Sequence, residues 1–380
     1  MIATATPSPR NLRLSPTLLW YIGRQYLSLF LMFFFGLATV ILLITVVDVI
    51  DRVSGKGADL ATMLQLAFMK LPYLTQEVMP FTALFAALTT FWRLTRSHEL
   101  VVTRSAGVSV WQFLLPVLIA GLLLGAVTTS LLNPVASILL GRYEALESTF
   151  KGKSSSTFSI SKTGLWLRQP GEKGQPGENG QSVIHAVSVT PDTMVLNNVI
   201  VFKYEEDDRF IGRIDAKTAE LRDGRWILFE AWKTAPGVPA EFFESTDLST
   251  DLTIEKIQES LADPQTISFW SLPSFIALMK EAGFSAVRHQ LQFHRLLATP
   301  FLLIAMILLA ASFSLRPQRR GRVGLVLLGG VMTGFLFYFV SNFVFTLGLS
   351  GKIPVILAAW LPSGVSMMLG VAALLHLEDG

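Results

Sequence analysis

The sequence predicts an α-helical membrane protein of six transmembrane helices, three and three, with an all-β, jelly-roll-like domain inserted between the halves. Three observations predict it. Six apolar runs punctuate the chain, each of about 20 residues or more, and at about 1.5 Å per helical residue such a run crosses a hydrocarbon core of about 30 Å. Between the third and fourth runs lies a polar stretch of more than a hundred residues. The 380 residues are 51% hydrophobic and only 16% charged, with mean hydropathy +0.50, a membrane composition carrying a soluble insert.

The first half, residues 1–135, holds spans at Leu27–Val47, Phe68–Phe91 and Val110–Leu132. Arg10, Arg13 and Arg24 precede the first, as in a signal peptide. The run is too long for such a peptide, however, and no small-residue cleavage site follows before Asp48 and Asp51, so an uncleaved span is expected. Span two is interrupted by Pro72, Glu77 and Pro80. Proline removes a backbone donor, which in a membrane must be compensated by neighbouring protein. Two readings follow: an interfacial helix over Leu60–Leu71 leading into a span that starts near Val78, or a kinked gate with Lys70 and Glu77 facing a cavity. Gly121-x-x-x-Gly125 and Gly330-x-x-x-Gly334 predict close helix packing.

The insert, residues 136–285, changes at about Tyr143 to short alternating runs. Gly164–Arg168, Ser182–Val189, Thr193–Tyr204, Arg209–Leu221 and Arg225–Lys233 read as strands, separated by the turn residues Pro191-Asp192, Asp207-Asp208 and Arg222-Asp223-Gly224. Asp223-Gly224 before Arg225-Trp226 is a hairpin signal. Pro170–Gly180 has glycine at every third position but is too short for a triple helix, and reads as a flexible hairpin loop. Ser271–Glu281 predicts an amphipathic helix stopped by Gly283. A second helix from Ala286 runs past His289, His294 and Arg295 into the closing half, residues 286–380, with spans at Leu296–Leu315, Val323–Leu347 and Val355–Leu375.

Charge sets the orientation. Arg10, Arg13, Arg24, Arg93, Arg96, Arg104, Arg316, Arg319, Arg320 and Arg322 fall on one side of the six spans. The opposite short loops carry Arg52, Lys56 and Lys352, with Lys70 near the start of span two. Positive loops stay inside, so both termini are expected in the cytoplasm and the β insert outside it. A net charge of +3, spent on topology, gives no reason to expect nucleic acid as a partner.

Reaction chemistry is sparse. The chain has no cysteine, which removes disulfides, thiolate nucleophiles and Cys-ligated metals. No stretch fits a phosphate-binding G-x-x-x-x-G-K-[ST] loop, His98-Glu99 is not followed by a second His at the zinc spacing, the five His are scattered over loops and helix ends, and no G-x-S-x-G elbow occurs. A non-catalytic subunit without cofactor or metal is expected, with any energy supplied by a partner. That partner would dock on the loop Arg93–Val110. There Ser97 stands in N-cap position for a short helix, Gly107 in stop position, and Glu99 with Arg96 and Arg104 forms a charged face. An ordinary basic inside loop and a coupling helix parallel to the membrane are equally compatible with these residues.

Taken in order, the chain resembles the LptF/LptG lipopolysaccharide export permease family, and LptG more than LptF. The resemblance runs through Ser97-His98-Glu99-Leu100-Val101-Val102 to Ala106-Gly107-Val108-Ser109, then Gly164-Leu165-Trp166-Leu167, then Asp263-Pro264 with Ser268. Pro300, the Arg316–Arg322 loop, Gly351-Lys352-Ile353-Pro354 and Ala358-Ala359-Trp360-Leu361-Pro362-Ser363 complete it. It implies a bacterial inner-membrane protein, a heterodimer with an LptF-like permease, and a cytoplasmic LptB-like ATPase dimer. It also implies LptC-like and LptA-like periplasmic partners that carry lipopolysaccharide onward along β-jelly rolls. By position, Arg96, His98, Glu99, Arg104 and Gly107 would couple to the ATPase. Arg52, Lys70 and Arg142 would meet lipid phosphates, although Asp48, Asp51 and Glu144 also occupy that region. Phe81 and Phe85 would wall the acyl-chain cavity, unless they only pack helices. The alternatives to a permease are a lipid-modifying membrane protein with a β sensor domain and a membrane scaffold that recruits a periplasmic partner.

Overall fold

The computed structural model describes residues 16–53, 58–105, 108–151, 158–161, 164–170, 181–190, 195–205, 209–222, 224–250, 263–282, 284–315 and 323–379. Arg10, Arg13, Lys56, Gly107, most of the Pro170–Gly180 loop, Gly283 and the Arg316–Arg322 loop lie outside them, as do the expected turn residues Asp192, Asp207 and Asp223. The chain divides into two compact units, residues 1–150 with 291–380 and residues 151–290.

The helical unit begins with α1 (Pro16–Val53), α2 (Leu60–Glu77), α3 (Met79–Arg96) and α4 (Glu99–Ser105). Next come α5 (Val110–Val127), a π-helical turn (Thr128–Leu132) and α6 (Asn133–Lys151). It closes with α8 (Val287–Ser314, entering this unit at Leu291), α9 (Val323–Leu349) and α10 (Val355–Asp379). Among the described residues five stretches are long and apolar enough to cross a membrane: α1, Val110–Phe150, α8, Leu328–Leu349 and Val355–His376. The sixth expected run is present but divided between α2 and α3. Pro80 has no N–H to return to the Gln76 carbonyl, so α2 stops at Glu77. Val78 sits at φ −92°, ψ 0°, and α3 restarts beyond it. Pro72 lies inside α2 without breaking it.

The third span runs further than its apolar stretch. Helix continues through α6 to Lys151, so Tyr143, expected near the start of the β pattern, is helical. The cause is a second small core: Leu140 and Tyr143 on α6 pack with Val49 and Val53 of α1 and Leu66 and Ala67 of α2. The unit boundary accordingly falls after Phe150, later than residue 135.

The main helical core gathers α1, α3, α5, α8 and α10 around Tyr26, Phe30, Leu84, Leu88, Phe91, Leu114, Leu303 and Ile307. Its tightest seam joins α5 to α8. A Cβ on Gly121 would lie 2.3 Å from the Ile307 Cδ1, and one on Gly125 would lie 2.4 Å from the Pro300 Cα. Pro300 leaves the Leu296 carbonyl without its helical donor, and the Thr129 hydroxyl, on the π turn, donates to it at 2.9 Å. The second glycine pair plays the same part: a Cβ on Gly330 or Gly334 would fall within 2.5 and 2.8 Å of Leu88 and Leu84.

Asp59 caps α2, accepting the Thr62 N–H at 3.1 Å and the Thr62 hydroxyl as well. These bonds favour the charged carboxylate and hold Asp59 below the usual aspartate range. The contribution is therefore whole above the unfolded value of about 3.9 and is lost as pH falls through the lowered folded value. Asp59→Ala should remove amide protection at Thr62 and Met63 at neutral pH. Asp59→Asn, which still accepts, should keep it and abolish its acid dependence.

Among its described residues the second unit holds one antiparallel sheet of seven strands in sequential order: β1 (Phe158–Ser161), β2 (Gly164–Pro170), β3 (Gln181–Thr190), β4 (Val195–Tyr204), β5 (Phe210–Arg222), β6 (Arg225–Ala235) and β7 (Val238–Ser249). The five expected strands are there; β1 and β7 extend the sheet at its two edges. The 222–225 hairpin pairs Arg222 with Arg225, and Gly224 takes φ +73° as such a turn needs. One face is apolar from β2 to β6: Leu167, Ile184, Val201 and Ile214 are in direct register, and Leu165, Ala186, Val199, Ala216 and Ala231 form the next row. Trp226, Leu228 and Leu248 extend this core, and α7 (Leu272–Glu281) adds Met279. The sheet is curled. Gln169 on β2 donates to the Ser249 carbonyl at the end of β7 at 3.2 Å and accepts from Thr250 at 2.8 Å. In a flat sheet with strands about 4.8 Å apart, those strands would be about 24 Å from each other.

Candidate functional site: a broken span between two cavities

The break at Val78 opens the helical unit on both sides. The larger cavity, about 550 Å³, is walled by Ile41, Ile44 and Thr45 of α1, Tyr73, Leu74 and Glu77 of α2, Val78, Phe81 of α3, and Phe335 and Tyr338 of α9. Apart from Glu77 and two hydroxyl-bearing side chains, Thr45 and Tyr73, and the Tyr338 phenol, this wall is hydrocarbon. A smaller cavity, about 70 Å³, lies among α3, α8, α9 and α10 and is bordered by Arg295, Ser341, Asn342, Phe345, Ala358 and Ser363. Glu77, Phe81 and Tyr338 border both, the two rings 5.8 Å apart. Arg295 Nη2 is 2.7 Å from Glu77 Oε2, and the guanidinium lies 5.2 Å from the centre of the Phe345 ring. Of the two residues expected to face a cavity at a kinked gate, Glu77 does and Lys70 does not; Arg295 was not singled out by sequence as a binding residue. The pair spans 218 positions, and its only signals were the acid interrupting span two and the arginine just before the fourth apolar run.

The sequence-predicted lipid contacts fall in four different settings. Phe81 lines both cavities. Phe85 packs against Phe33 at 6.1 Å in the helical core and borders neither cavity. Arg52 and Lys70 come together in a charge cluster where α1, α2 and α6 meet. Arg52 Nε bonds Asp48 at 2.9 Å and Nη1 lies 3.8 Å from Glu147; Lys70 Nζ lies 3.4 Å from Asp48 and 5.3 Å from the Tyr143 ring. The Tyr143 hydroxyl donates to Glu147 at 3.0 Å. Both cations thus face acids of their own chain. Arg142, one residue before Tyr143, points outward and is exposed.

The loop at the other end of α3 is a sharp turn between helices. Ser97 was expected to cap α4, but it ends α3 instead. Its hydroxyl donates to the Glu99 carboxylate at 2.8 Å, and the Tyr21 hydroxyl of α1 interacts with the same group. His98 takes a left-handed φ of +59°, and its carbonyl accepts the first α4 bond, from Val102. Arg96 stacks 5.5 Å from the Trp92 ring. Arg104 belongs to α4; its side chain and Gly107 lie outside the described residues. Thr95 and Ser314 tie this end of α3 to α8, through Thr95 Oγ1 to the Ser314 carbonyl at 3.4 Å and Ser314 Oγ to the Leu88 carbonyl at 3.2 Å. Among the described residues no group of three or more His, Asp or Glu forms a metal-binding set.

Apolar spans around a hydrocarbon-walled cavity, with a long β insert between two halves, define a membrane permease subunit. The model of one family, the lipopolysaccharide export system permease LptF/LptG, matches residues 20–376, and the chain belongs to that family. It is similar to the lipopolysaccharide export system permease protein LptG of Escherichia coli K12, 24% identical over 365 residues, covering 94% of this chain and 97% of that protein. The LptG of Haemophilus influenzae is 25% identical over 359 residues, 90% of this chain and 94% of the relative.

Proposed function

We propose that this chain is the LptG-like half of an ATP-driven exporter that lifts lipopolysaccharide out of the bacterial inner membrane. Both termini and α4 lie in the cytoplasm, and the curled sheet lies in the periplasm. The observation that carries the reading is the cavity of about 550 Å³ at the broken span. It is walled by apolar groups, and α1 and α9 leave Ile44 and Phe335 largely exposed beside it, as an amphiphile entering sideways from the bilayer requires.

Acyl chains are held by Ile41, Leu74 and Phe81, each buried methylene contributing about 0.8 kcal/mol. An LptF-like permease supplies the facing wall, and an LptB-like ATPase dimer seats the Arg96–Gly107 segment. Closure of that dimer on ATP moves α4; α4 adjoins α3, and α3 forms one side of both cavities. A rigid element pushed at one end and broken at the other narrows the space beside the break. Lipid then leaves for the apolar face of the β-domain and passes to LptC-like and LptA-like proteins. The chain itself contributes no hydrolysis.

The test is purification of the full chain from its native membrane with a photo-crosslinker in place of Ile44. An LptF-like permease and an LptB-like ATPase should co-purify, and lipopolysaccharide should be labelled. Full export by the isolated chain, or labelling of ordinary phospholipid alone, would overturn the reading.

A further inference from the structure

Two of the three cations expected to meet lipid phosphates are already engaged, Arg52 and Lys70 facing Asp48 and Glu147, and the third, Arg142, is exposed away from both cavities. A different cation stands closer to the lipid space. Arg295 is separated from the larger cavity by one carboxylate, Glu77, which borders both cavities and bonds it at 2.7 Å. The smaller cavity behind that pair is rich in donors. Ser341 Oγ is buried there with no hydrogen-bond partner, and Asn342 and Ser363 complete its polar side. An unmet hydroxyl beside a guanidinium is a set of donors awaiting an acceptor, and a guanidinium fork matches phosphate bidentately.

Resting on the lipopolysaccharide reading, we infer that Arg295 is a phosphate-recognising residue of the transport cavity and that Glu77 is its resident counter-ion, displaced when a phosphorylated lipid headgroup enters. Glu77 serves two ends. It keeps Arg295 paired while the cavity is empty, since a half-buried charge left without its partner is costly. It also sets a threshold, because a neutral headgroup cannot exchange for a carboxylate whereas a phosphate can. The position at the break suits the exchange: Glu77 is the last residue of α2, so a small change at Val78 moves its side chain without repacking α3.

The two members of the pair therefore act with opposite signs. In the complex purified from native membrane, photo-crosslinking at Ile44 to bisphosphorylated lipid A should fall about tenfold in Arg295→Gln, the loss of one charge-assisted contact. It should rise several-fold in Glu77→Gln, which removes the competitor. The Glu77→Gln/Arg295→Gln double variant carries neither charge and should bind as weakly as Arg295→Gln. With fully dephosphorylated lipid A, all four proteins should label alike. Equal weakening by both single variants would reduce the pair to a structural tie and overturn the inference, as would no change in either. Competition by millimolar inorganic phosphate in the wild type but not in Arg295→Gln would assign the site to free phosphate rather than to a lipid headgroup. Absence of labelling by either lipid in the wild type would instead refute the lipopolysaccharide reading.

Discussion

Glu99→Lys is expected to strip the complex of its ATPase. The carboxylate is held by the Ser97 hydroxyl at 2.8 Å and by its interaction with Tyr21, on a turn fixed by the left-handed His98. A lysine there loses both contacts and sets a third cation beside Arg93 and Arg96. Reversing a charge at a docking surface replaces an attraction with a repulsion, and the penalty runs to several kcal/mol. At about 1.4 kcal/mol per factor of ten, ATPase recovered with the chain should drop about a hundredfold or more, and export with it. Insertion and thermal stability of the chain should hardly change, because Leu100, which anchors α4 in the main core, is untouched. Undiminished ATPase recovery would remove Glu99 from the coupling surface.

The second large effect is on folding. Gly125→Ala adds one methyl group, and that methyl would lie 2.4 Å from the Pro300 Cα, a backbone atom that cannot turn aside. Helices α5 and α8 must separate, and their separation pulls the Thr129 hydroxyl off the Leu296 carbonyl that Pro300 left without a donor. Overpacking costs about 1–3 kcal/mol and the orphaned carbonyl about 1–3 more. We expect a loss of well-folded chain from the membrane and a marked fall in melting temperature in detergent. Thr129→Val, which keeps the packing and removes only the hydroxyl, should cost the second part alone. If Gly125→Ala is as stable as the parent, the close crossing is wrong.

Much of the fold was legible because length and alternation are direct physical constraints. Six apolar runs and five alternating ones named the helices and central strands. What escaped did so for identifiable reasons. Strand β7 is exposed on both faces over most of its length, so it has no alternation to read. Helix α6 carries Arg142, Glu144 and Glu147, which end any hydropathy signal; its 3-3-4 spacing of Leu140, Tyr143, Leu146 and Phe150 was the clue that could have extended span three. Pro72 and Pro80 looked alike in sequence, yet only the second coincides with a break. In the site, the cations Arg52 and Lys70 were visible as charges, but their pairing with Asp48 and Glu147 depends on three helices converging. The Glu77–Arg295 pair joins distant segments, and no local pattern announces it.

The outer margin of the β-domain has one more property. Along β7 the proline at 239 and the acids Glu241, Glu244 and Asp247 interrupt what would otherwise be a bare ribbon of peptide groups. A second molecule approaching with its own β7 brings Glu241 and Glu244 of both copies together, Asp247 being already paired with Arg225 at 2.7 Å. Crowded neighbours in one bilayer are thereby kept from zipping into ordered aggregates, and any segment that does extend the ribbon has to arrive with lysine or arginine at the matching steps.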